Sequence, residues 1–184
     1  MKNIIVIGSE SMSRVVDWSD RSTCVLFGDG AGAVILSAQD DNNSDSGIIA
    51  SKMYTDGSYR DLLYVEEAKC LAMEGNRVFK HAVSYLSKAV MDVIDSVDGV
   101  ESSDIDWLIP HQANYRIIAA AAGKLNLPME KVVLTLPHHG NTSSASVPLA
   151  LDVAVKSGQV KPGELLLLEA FGSGFVWGAI LLRF

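Results

Sequence analysis

The segment from Ser143 to Lys156 most constrains what this chain can fold into, because it is apolar or small on almost every side. Its pattern predicts a helix. The apolar or small residues in it are Ala145, Val147, Leu149, Ala150, Leu151, Val153, Ala154 and Val155. A helix without a polar face is buried all round, and one sheet formed by 184 residues can cover only part of it. We therefore expect the folded object to be larger than this chain.

A faint internal repeat supports the same expectation. A strand, a Phe-Gly-x-Gly turn and a second strand are predicted twice, with the turns at Phe27–Gly30 and Phe171–Gly174. Repetition of this kind suggests a duplicated α/β unit. Only the last two strands of the first copy are present.

The rest of the pattern is also typical of an α/β protein. Two further helices are predicted, one over Asn76–Val97 with Asn76 as its N-cap and one over Asn114–Leu125. The predicted strands cover residues 3–8 (a buried strand), 23–37 (two strands joined by a Gly-rich turn), 47–53, 106–109, 131–136, 164–169 and 179–184. A polar loop is predicted over Asp40–Ser46.

Charge and composition exclude several classes of protein. The formal net charge of −7 argues against a general nucleic-acid binder, and no apolar stretch is long enough to span a membrane. The first residues lead directly into a strand pattern without a secretory signal, and two cysteines do not form a disulfide framework. These features predict a globular, cytoplasmic protein.

The charge is distributed unevenly along the chain. Residues 1–110 contain 9 Lys and Arg against 18 Asp and Glu, whereas residues 111–184 contain 6 against 4. The second part could therefore carry a cationic patch for an acidic partner. Ordinary variation along a surface is the alternative.

Two polar loops follow predicted strands, where open α/β sheets bind ligands. Pro110-His111-Gln112-Ala113-Asn114 offers an imidazole and two amides, and Gly140-Asn141-Thr142-Ser143-Ser144 leads into the apolar helix. His111 and Asn141 could meet at one oxygen and polarise a carbonyl, as in an oxyanion site. The alternative is that His111 is a core or capping residue and that Asn141 only forms a turn.

Other sites are not supported. The glycines at Gly28–Gly32 precede a strand and not a helix, so they cannot form a phosphate-binding turn. His81, His138 and His139 have no ligand spacing typical of a metal site. Cys24, predicted within a strand, and Cys70 are interpreted as structural, and no Gly-x-Ser-x-Gly elbow is present.

Four motifs together resemble the β-ketoacyl-[acyl-carrier-protein] synthase III family, the initiating condensing enzymes of type II fatty acid synthesis. They are Asp29–Ala33, Trp107–Asn114, Gly140–Pro148 and Glu169–Gly178. The resemblance covers essentially the whole chain but only a little more than the C-terminal half of the family. It implies an α/β thiolase-like fold with two duplicated halves in five layers, αβαβα, usually as a homodimer. Residues 1–40 would then be the closing strands of the first half, and residues 41–184 the C-terminal half.

The resemblance also implies a reaction, which needs no cofactor beyond its thioester substrates. Members condense acetyl-CoA, or another short acyl-CoA, with malonyl-ACP (ACP, acyl carrier protein) and release carbon dioxide. His111 and Asn141 would hold the malonyl thioester oxygen, and Phe171 would lie against the malonyl carboxylate. The implied pantetheine contacts are Gly75, Asn76, Ala113 and Asn114; Ser173 belongs to the turn that holds the acyl group; and the implied ACP contacts are Lys80, Arg116 and Lys124.

The chain also departs from the family pattern. No segment matches the motif of the nucleophilic cysteine, Ser173 replaces a glycine, and the segment from Tyr64 to Glu74 is short. Two hypotheses follow: part of a condensing enzyme whose other half is supplied separately, or an inactive subunit that docks on a complete homologue. Under either hypothesis the isolated chain is predicted not to condense. His111 and Asn141 alone could still support slow malonyl decarboxylation.

Overall fold

The computed structural model describes residues 2–38, 46–65 and 70–184. Its strands are β1 (Asn3–Glu10), β2 (Gly30–Ser37), β3 (Gly47–Thr55), β4 (Leu63–Val65), β5 (Leu71–Met73), β6 (Trp107–Pro110), β7 (Leu165–Gly172) and β8 (Val176–Arg183). Its helices are α1 (Gly75–Ile94), α2 (Tyr115–Lys124), α3 (Leu136–His139) and α4 (Ser146–Lys156). Short 3₁₀ helices lie at Met12–Arg14, Gly57–Leu62, Ser102–Asp104, Met129–Lys131 and Ser143–Ala145.

The central sheet has the strand order β3-β8-β7-β6. Strand β6 is parallel to β7, while β8 is antiparallel to both β7 and β3. The run of four leucines at the start of β7 is buried or half-buried, as expected for a strand covered on both faces. Leu165 and Leu167 pack with residues of α1 and α2, whereas Leu166 packs with Ala150 and Ala154 of α4. Helices therefore cover the two faces of this sheet.

Strands β1 and β2 form a separate two-stranded antiparallel sheet, called the hairpin below although residues 11–29 connect its strands. It contacts α4 through β2 and the Ser143–Ala145 turn through β1. The prediction of a buried strand at residues 3–8 is wrong for this chain, because Ile5 is 62% exposed and Ile7 is 67% exposed. An apolar run of this kind is typical of a strand covered on both faces, and the described residues cover little of it.

Helix α4 shows the same incomplete cover. Only Ser146, Ala150 and Ala154 are buried along it, and Val153 is 40% exposed. The helix is confirmed, but its burial on every side is not achieved within this chain. Its sheet-facing side is packed and its opposite side is only partly covered by the hairpin.

Two predicted strands are absent, and in each segment hydrogen bonds to polar groups take the place of strand pairing. Residues 23–27 form turns in which Asp20 accepts hydrogen bonds from the side chain of Thr23 and the backbone N–H of Cys24. Residues 131–136 make one parallel bridge, between Leu108 and Val132, before α3 begins. The Gln112 side chain accepts hydrogen bonds from the backbone N–H groups of residues 135 and 136. In a strand these N–H groups would have paired with a neighbouring strand.

The helix boundaries differ little from prediction. Helix α1 begins at Gly75, has no side-chain cap and ends at Ile94, so the capping role predicted for Asn76 is wrong. Asn114, predicted as the first residue of α2, is the N-cap of that helix, because its Oδ1 accepts from the backbone N–H of Ile117 at 3.0 Å. Most of the predicted loop at Asp40–Ser46 lies outside the described residues, as does part of the segment from Tyr64 to Glu74. Within the described ranges, no helix combines the length and the apolarity needed to cross a bilayer.

The contact between the hairpin and the Ser143–Ala145 turn depends on the absence of a side chain at Gly8. A Cβ atom there would lie 2.3 Å from the backbone oxygen of Ser144. We expect Gly8→Ala to lower the free energy of unfolding by about 1–3 kcal/mol. Gly123→Ala is the matched control, because nothing lies within 4 Å of its Cβ position; on a helix it should stabilise by about 0.5–1 kcal/mol. Equal denaturation midpoints for the two variants would contradict this packing.

Candidate functional site

His111 lies immediately after β6, at the carboxyl end of two parallel strands. Its backbone N–H donates to the carbonyl of Glu169 on β7 at 2.8 Å, so the sheet itself fixes its position. Its ring Nδ1 lies 2.5 Å from Ser146 Oγ on α4. Desolvation by burial lowers the pKa of His111 to about 4, so the imidazole is neutral at pH 7.

Asn141 is held by its backbone as well as by its side chain. Its N–H donates to the carbonyl of Leu26 at 2.9 Å, and its carbonyl accepts from the N–H of Gly28 at 2.8 Å. Its side-chain Oδ1 accepts from the N–H of Ser143 at 2.9 Å. Because the amide oxygen is occupied, the Nδ2 group remains as a hydrogen-bond donor.

One cavity of about 290 Å³ brings the two loops together. Seven of the predicted site residues line it: Gly75, His111, Ala113, Asn114, Asn141, Phe171 and Ser173. Asn76, exposed on the first turn of α1, does not line it. Neither Cys24, which is half-buried, nor Cys70, which is exposed, lines it. The cavity thus holds hydrogen-bond donors and an aromatic ring but no thiol from the described residues.

Gln112 corrects the interpretation of its loop as a source of two carbonyl-polarising amides. It is fully buried. Its Nε2 donates to the carbonyls of Pro110 and Val133, and its Oε1 accepts from the N–H groups of Thr135 and Leu136, all at 2.9–3.1 Å. The oxygen of the second amide, Asn114, caps α2. Gln112 therefore serves the structure, and the side-chain amides that line the cavity are those of Asn114 and Asn141.

The turn between β7 and β8 forms another wall of the cavity. The ring of Phe171 lies 4.7 Å from that of Phe175, centroid to centroid, and Phe175 is fully buried. Ser173 Oγ donates to the carbonyl of Leu63 at 2.5 Å, which ties the turn to β4. The serine at this position thus has a structural partner of its own.

The predicted cationic residues lie on α1 and α2. Lys80, Arg116 and Lys124 are exposed, and none of them pairs with a carboxylate in the described part of the chain. The guanidinium of Arg116 lies 5.0 Å from the ring centroid of Phe79, which is next to Lys80 in sequence. Arg116 and Lys124 are two turns apart on one helix, so they lie on a similar face.

Glu169 belongs to one of the four motifs, but its role as a buried acid was missed by sequence reasoning. It is 3% exposed, and its Oε2 has no hydrogen-bond partner in the described residues. It lines a larger open groove of about 690 Å³ together with His111 and Phe171. Burial raises the pKa of Glu169 to about 8, so the acid is protonated at pH 7. The available signal was a single acidic residue at the end of a run of four leucines.

The described residues include no cluster of three or more His, Cys, Asp or Glu side chains suited to a metal ion. His138 and His139 lie in α3. His81 packs against Tyr59, with a distance of 4.2 Å between ring centroids. None of these three histidines belongs to such a cluster among the described residues.

The buried acid predicts a pH-dependent stability. Between its ordinary pKa of 4.5 and about 8, Glu169 is ionised in the unfolded chain but protonated in the folded one, so its contribution to the free energy of unfolding falls as pH rises. We expect Glu169→Gln to remove this loss, at most about 1.4 kcal/mol per pH unit. Urea denaturation from pH 4.5 to 8 measures it, with the exposed Glu130→Gln as control. Parallel pH profiles for wild type and Glu169→Gln would refute a buried neutral acid.

Comparison with protein families gives matches at both ends of the chain. The model described as 3-oxoacyl-[acyl-carrier-protein (ACP)] synthase III matches residues 1–57, and the model of its C-terminal part matches residues 96–184. The synthase III of Erythrobacter litoralis is 53% identical over 190 residues, covering 100% of this chain and 59% of the relative. That of Xanthomonas campestris is 53% identical over 195 residues, with 100% and 58% covered. The chain thus spans somewhat less than three fifths of the length of these relatives.

Solved structures show the same relationship. The 3-oxoacyl-[acyl-carrier-protein] synthase III of Aquifex aeolicus matches with a TM-score of 0.95 and 48% identity, covering 100% of this chain and 58% of that one. The enzyme of Pseudomonas aeruginosa PAO1 matches with a TM-score of 0.93 and 41% identity, with the same coverage. The α/β thiolase-like fold is confirmed, while the division at residue 40 stays a prediction. Since 3-oxoacyl and β-ketoacyl denote the same group, we conclude that the chain belongs to the β-ketoacyl-[acyl-carrier-protein] synthase III family.

Proposed function

We propose that this chain supplies the malonyl-binding part of an enzyme that condenses acetyl-CoA, or another short acyl-CoA, with malonyl-ACP. The observation that carries the proposal is the single cavity that joins His111, Asn141 and Phe171 with the predicted pantetheine contacts. An acyl group on an enzyme cysteine is attacked by the carbanion left when malonyl-ACP loses carbon dioxide. The products are β-ketoacyl-ACP, carbon dioxide and the cysteine thiolate. This reaction initiates fatty acid synthesis without a metal or other cofactor.

Decarboxylation places negative charge on the thioester oxygen of malonyl-ACP. The imidazole of His111 and the Nδ2 group of Asn141 provide two donors for that oxygen from two fixed loops. Donors fixed before the reaction stabilise such charge without reorganisation. Phe171 places an apolar ring beside the substrate, which favours loss of the charged carboxylate.

The pantetheine arm would reach this oxygen between α1, α2 and the β7–β8 turn. Gly75 begins α1, Ala113 and Asn114 precede α2, and Ser173 forms part of the turn. Asn76, exposed beside Gly75, would contact the arm nearer the surface. The acidic carrier protein would dock on Lys80, Arg116 and Lys124, which lie on the same two helices.

The nucleophilic cysteine is proposed to come from outside residues 1–184. Neither cysteine of the chain lines the cavity, and the matched relatives are longer by about two fifths of their length. The exposed apolar residues of β1 would contact that additional part. By the same family resemblance, the whole enzyme is proposed to be a cytoplasmic homodimer.

The exposed hairpin also favours the second hypothesis, in which the chain is an inactive subunit. Ile4, Ile5, Val6 and Ile7 are each 47–67% exposed. Surfaces of this kind mark contact with another protein. A complete homologue would be the partner, and no condensation would depend on His111.

A reconstitution experiment separates these functions. The chain is expressed alone and with the segment that precedes the matched region in the Erythrobacter litoralis relative, then incubated with acetyl-CoA and malonyl-ACP. We expect condensation only in the co-purified pair, with the acetyl group on the added segment by intact mass. Acetoacetyl-ACP made by the chain alone would contradict an external nucleophile. A pair that forms and becomes acetylated but does not condense would support the inactive subunit.

The donor roles predict a selective loss of one half-reaction. His111→Ala and Asn141→Ala should each reduce condensation by the assembled pair about 10²–10³-fold, the usual effect of removing an oxyanion donor. Acetylation of the cysteine should persist, because these donors are assigned to the malonyl oxygen. Mass spectrometry and product assay on the same sample measure the two steps, with His138→Ala as control. Equal loss of both steps would contradict the assignment.

The cationic residues predict a dependence on the carrier. Lys80→Glu and Arg116→Glu should raise KM for malonyl-ACP about tenfold or more and leave the use of malonyl-CoA nearly unchanged, because reversed charges repel an acidic partner. Lys161→Glu is the control, since Lys161 precedes β7 and so lies at the opposite end of the sheet from His111. Equal effects of all three variants on KM would exclude a specific docking patch.

A further inference from the structure

Ser146 is a buried hydroxyl that contacts the His111 ring and that none of the roles above uses. It is the first residue of α4 and is 1% exposed. Its Oγ lies 2.5 Å from Nδ1 of His111 and accepts from the backbone N–H of Gln112 at 3.2 Å. The hydroxyl is therefore fixed from two sides, by a ring and by a backbone group.

A count of hydrogens decides which group donates. If Nδ1 carried the hydrogen, Oγ would accept twice, and its own hydrogen would have no acceptor among the described residues. A buried donor left in this state is unfavourable. If Oγ donates to Nδ1, then Nδ1, Oγ and the N–H of Gln112 are all satisfied. The second arrangement is the favoured one.

We propose that the Ser146 hydroxyl donates to Nδ1 of His111 and thereby holds the imidazole as the neutral tautomer with its hydrogen on Nε2. Ser146 is then a positioning residue, which acts through His111 and does not touch the substrate. Where it concerns catalysis, this role rests on the proposed function.

The tautomer determines what the ring can offer to a substrate oxygen. With the hydrogen on Nε2, His111 presents a donor on the side of the ring away from Ser146. With the hydrogen on Nδ1, Nε2 would present a lone pair, which repels an oxygen that gains negative charge. Asn141 already presents an amide donor at the same cavity. The serine thus makes the second of two donors available without a net positive charge.

The tautomer can be measured on the purified chain without any substrate. Long-range proton–nitrogen correlation NMR at pH 7 distinguishes the two ring nitrogens of each of the four histidines, and the signals lost in His111→Gln assign the ring. We expect the Nε2–H form of His111 to exceed the other by roughly 5- to 150-fold, as a lost buried hydrogen bond implies. A wild-type ring with its hydrogen on Nδ1 would overturn the proposal.

Variants test whether Ser146 is the cause. Ser146→Ala should reduce the tautomer ratio at least about fivefold, and Ser146→Thr, which keeps a hydroxyl, should restore it. Ser157→Ala is the matched control, because Ser157 lies at the other end of α4 and its hydroxyl donates to the carbonyl of Ala154. An unchanged ratio in Ser146→Ala would overturn the proposal, and circular dichroism of each variant verifies that it is folded.

Activity provides a separate readout in the assembled pair. Ser146→Ala should lower kcat for condensation roughly tenfold, because the His111 ring would no longer hold its Nε2–H donor toward the substrate oxygen. KM for malonyl-ACP should be nearly unchanged. Loss of the tautomer preference without any loss of kcat would refute the positioning role. If the pair does not condense at all, the proposed function is refuted. The NMR measurement still tests the role of Ser146 in the tautomer independently.

Discussion

The four hydrogen bonds of the Gln112 side chain are the interaction on which the rest of the site depends. They join the end of β6 to the segment at residues 133–136 through two backbone carbonyls and two backbone N–H groups. His111 precedes Gln112, and Asn141 follows that segment by five residues. One buried amide therefore sets the relative position of the loops that carry the two proposed donors.

Two titratable groups at this end of the sheet, the half-buried His111 and the buried Glu169, are both neutral at pH 7. Burial lowers the pKa of His111 to about 4 and raises that of Glu169 to about 8. Between these values neither group adds a charge beside the cavity. In the proposed reaction, a malonyl carboxylate would find no cation from these two groups to stabilise it and no anion to repel it. Such surroundings suit a reaction in which the carboxylate leaves as uncharged carbon dioxide and the remaining charge moves to an oxygen with two donors.

Features determined by local patterns were predictable from the sequence. The helix predicted from the three- and four-residue spacing of α1 is confirmed, as are the helix predicted over Asn114–Leu125 and the apolar helix α4. The placement of His111 and Asn141 in loops after predicted strands suggested that they meet, and both line one cavity although the strand predicted before Asn141 is absent. The strand predicted at residues 23–27 failed because the backbone N–H groups of Thr23 and Cys24 donate to the Asp20 carbonyl, and that at residues 131–136 failed because the Gln112 side chain binds two of its backbone N–H groups. Such competition depends on contacts that a propensity pattern does not contain.

Burial was predicted less well than secondary structure, and the reason is physical. The apolar patterns of β1 and α4 indicate elements covered on all sides, yet Ile7 is 67% exposed and Val153 is 40% exposed. An apolar pattern indicates the surroundings in which a segment is stable. The patterns of β1 and α4 require more apolar cover than the described residues provide. The open groove beside Glu169 is likewise incompletely covered, and Glu169 Oε2 has no hydrogen-bond partner among the described residues. Three separate features, an apolar hairpin, a half-covered helix and an unsatisfied buried acid, thus favour a larger assembly in which His111 and Asn141 complete a site begun elsewhere.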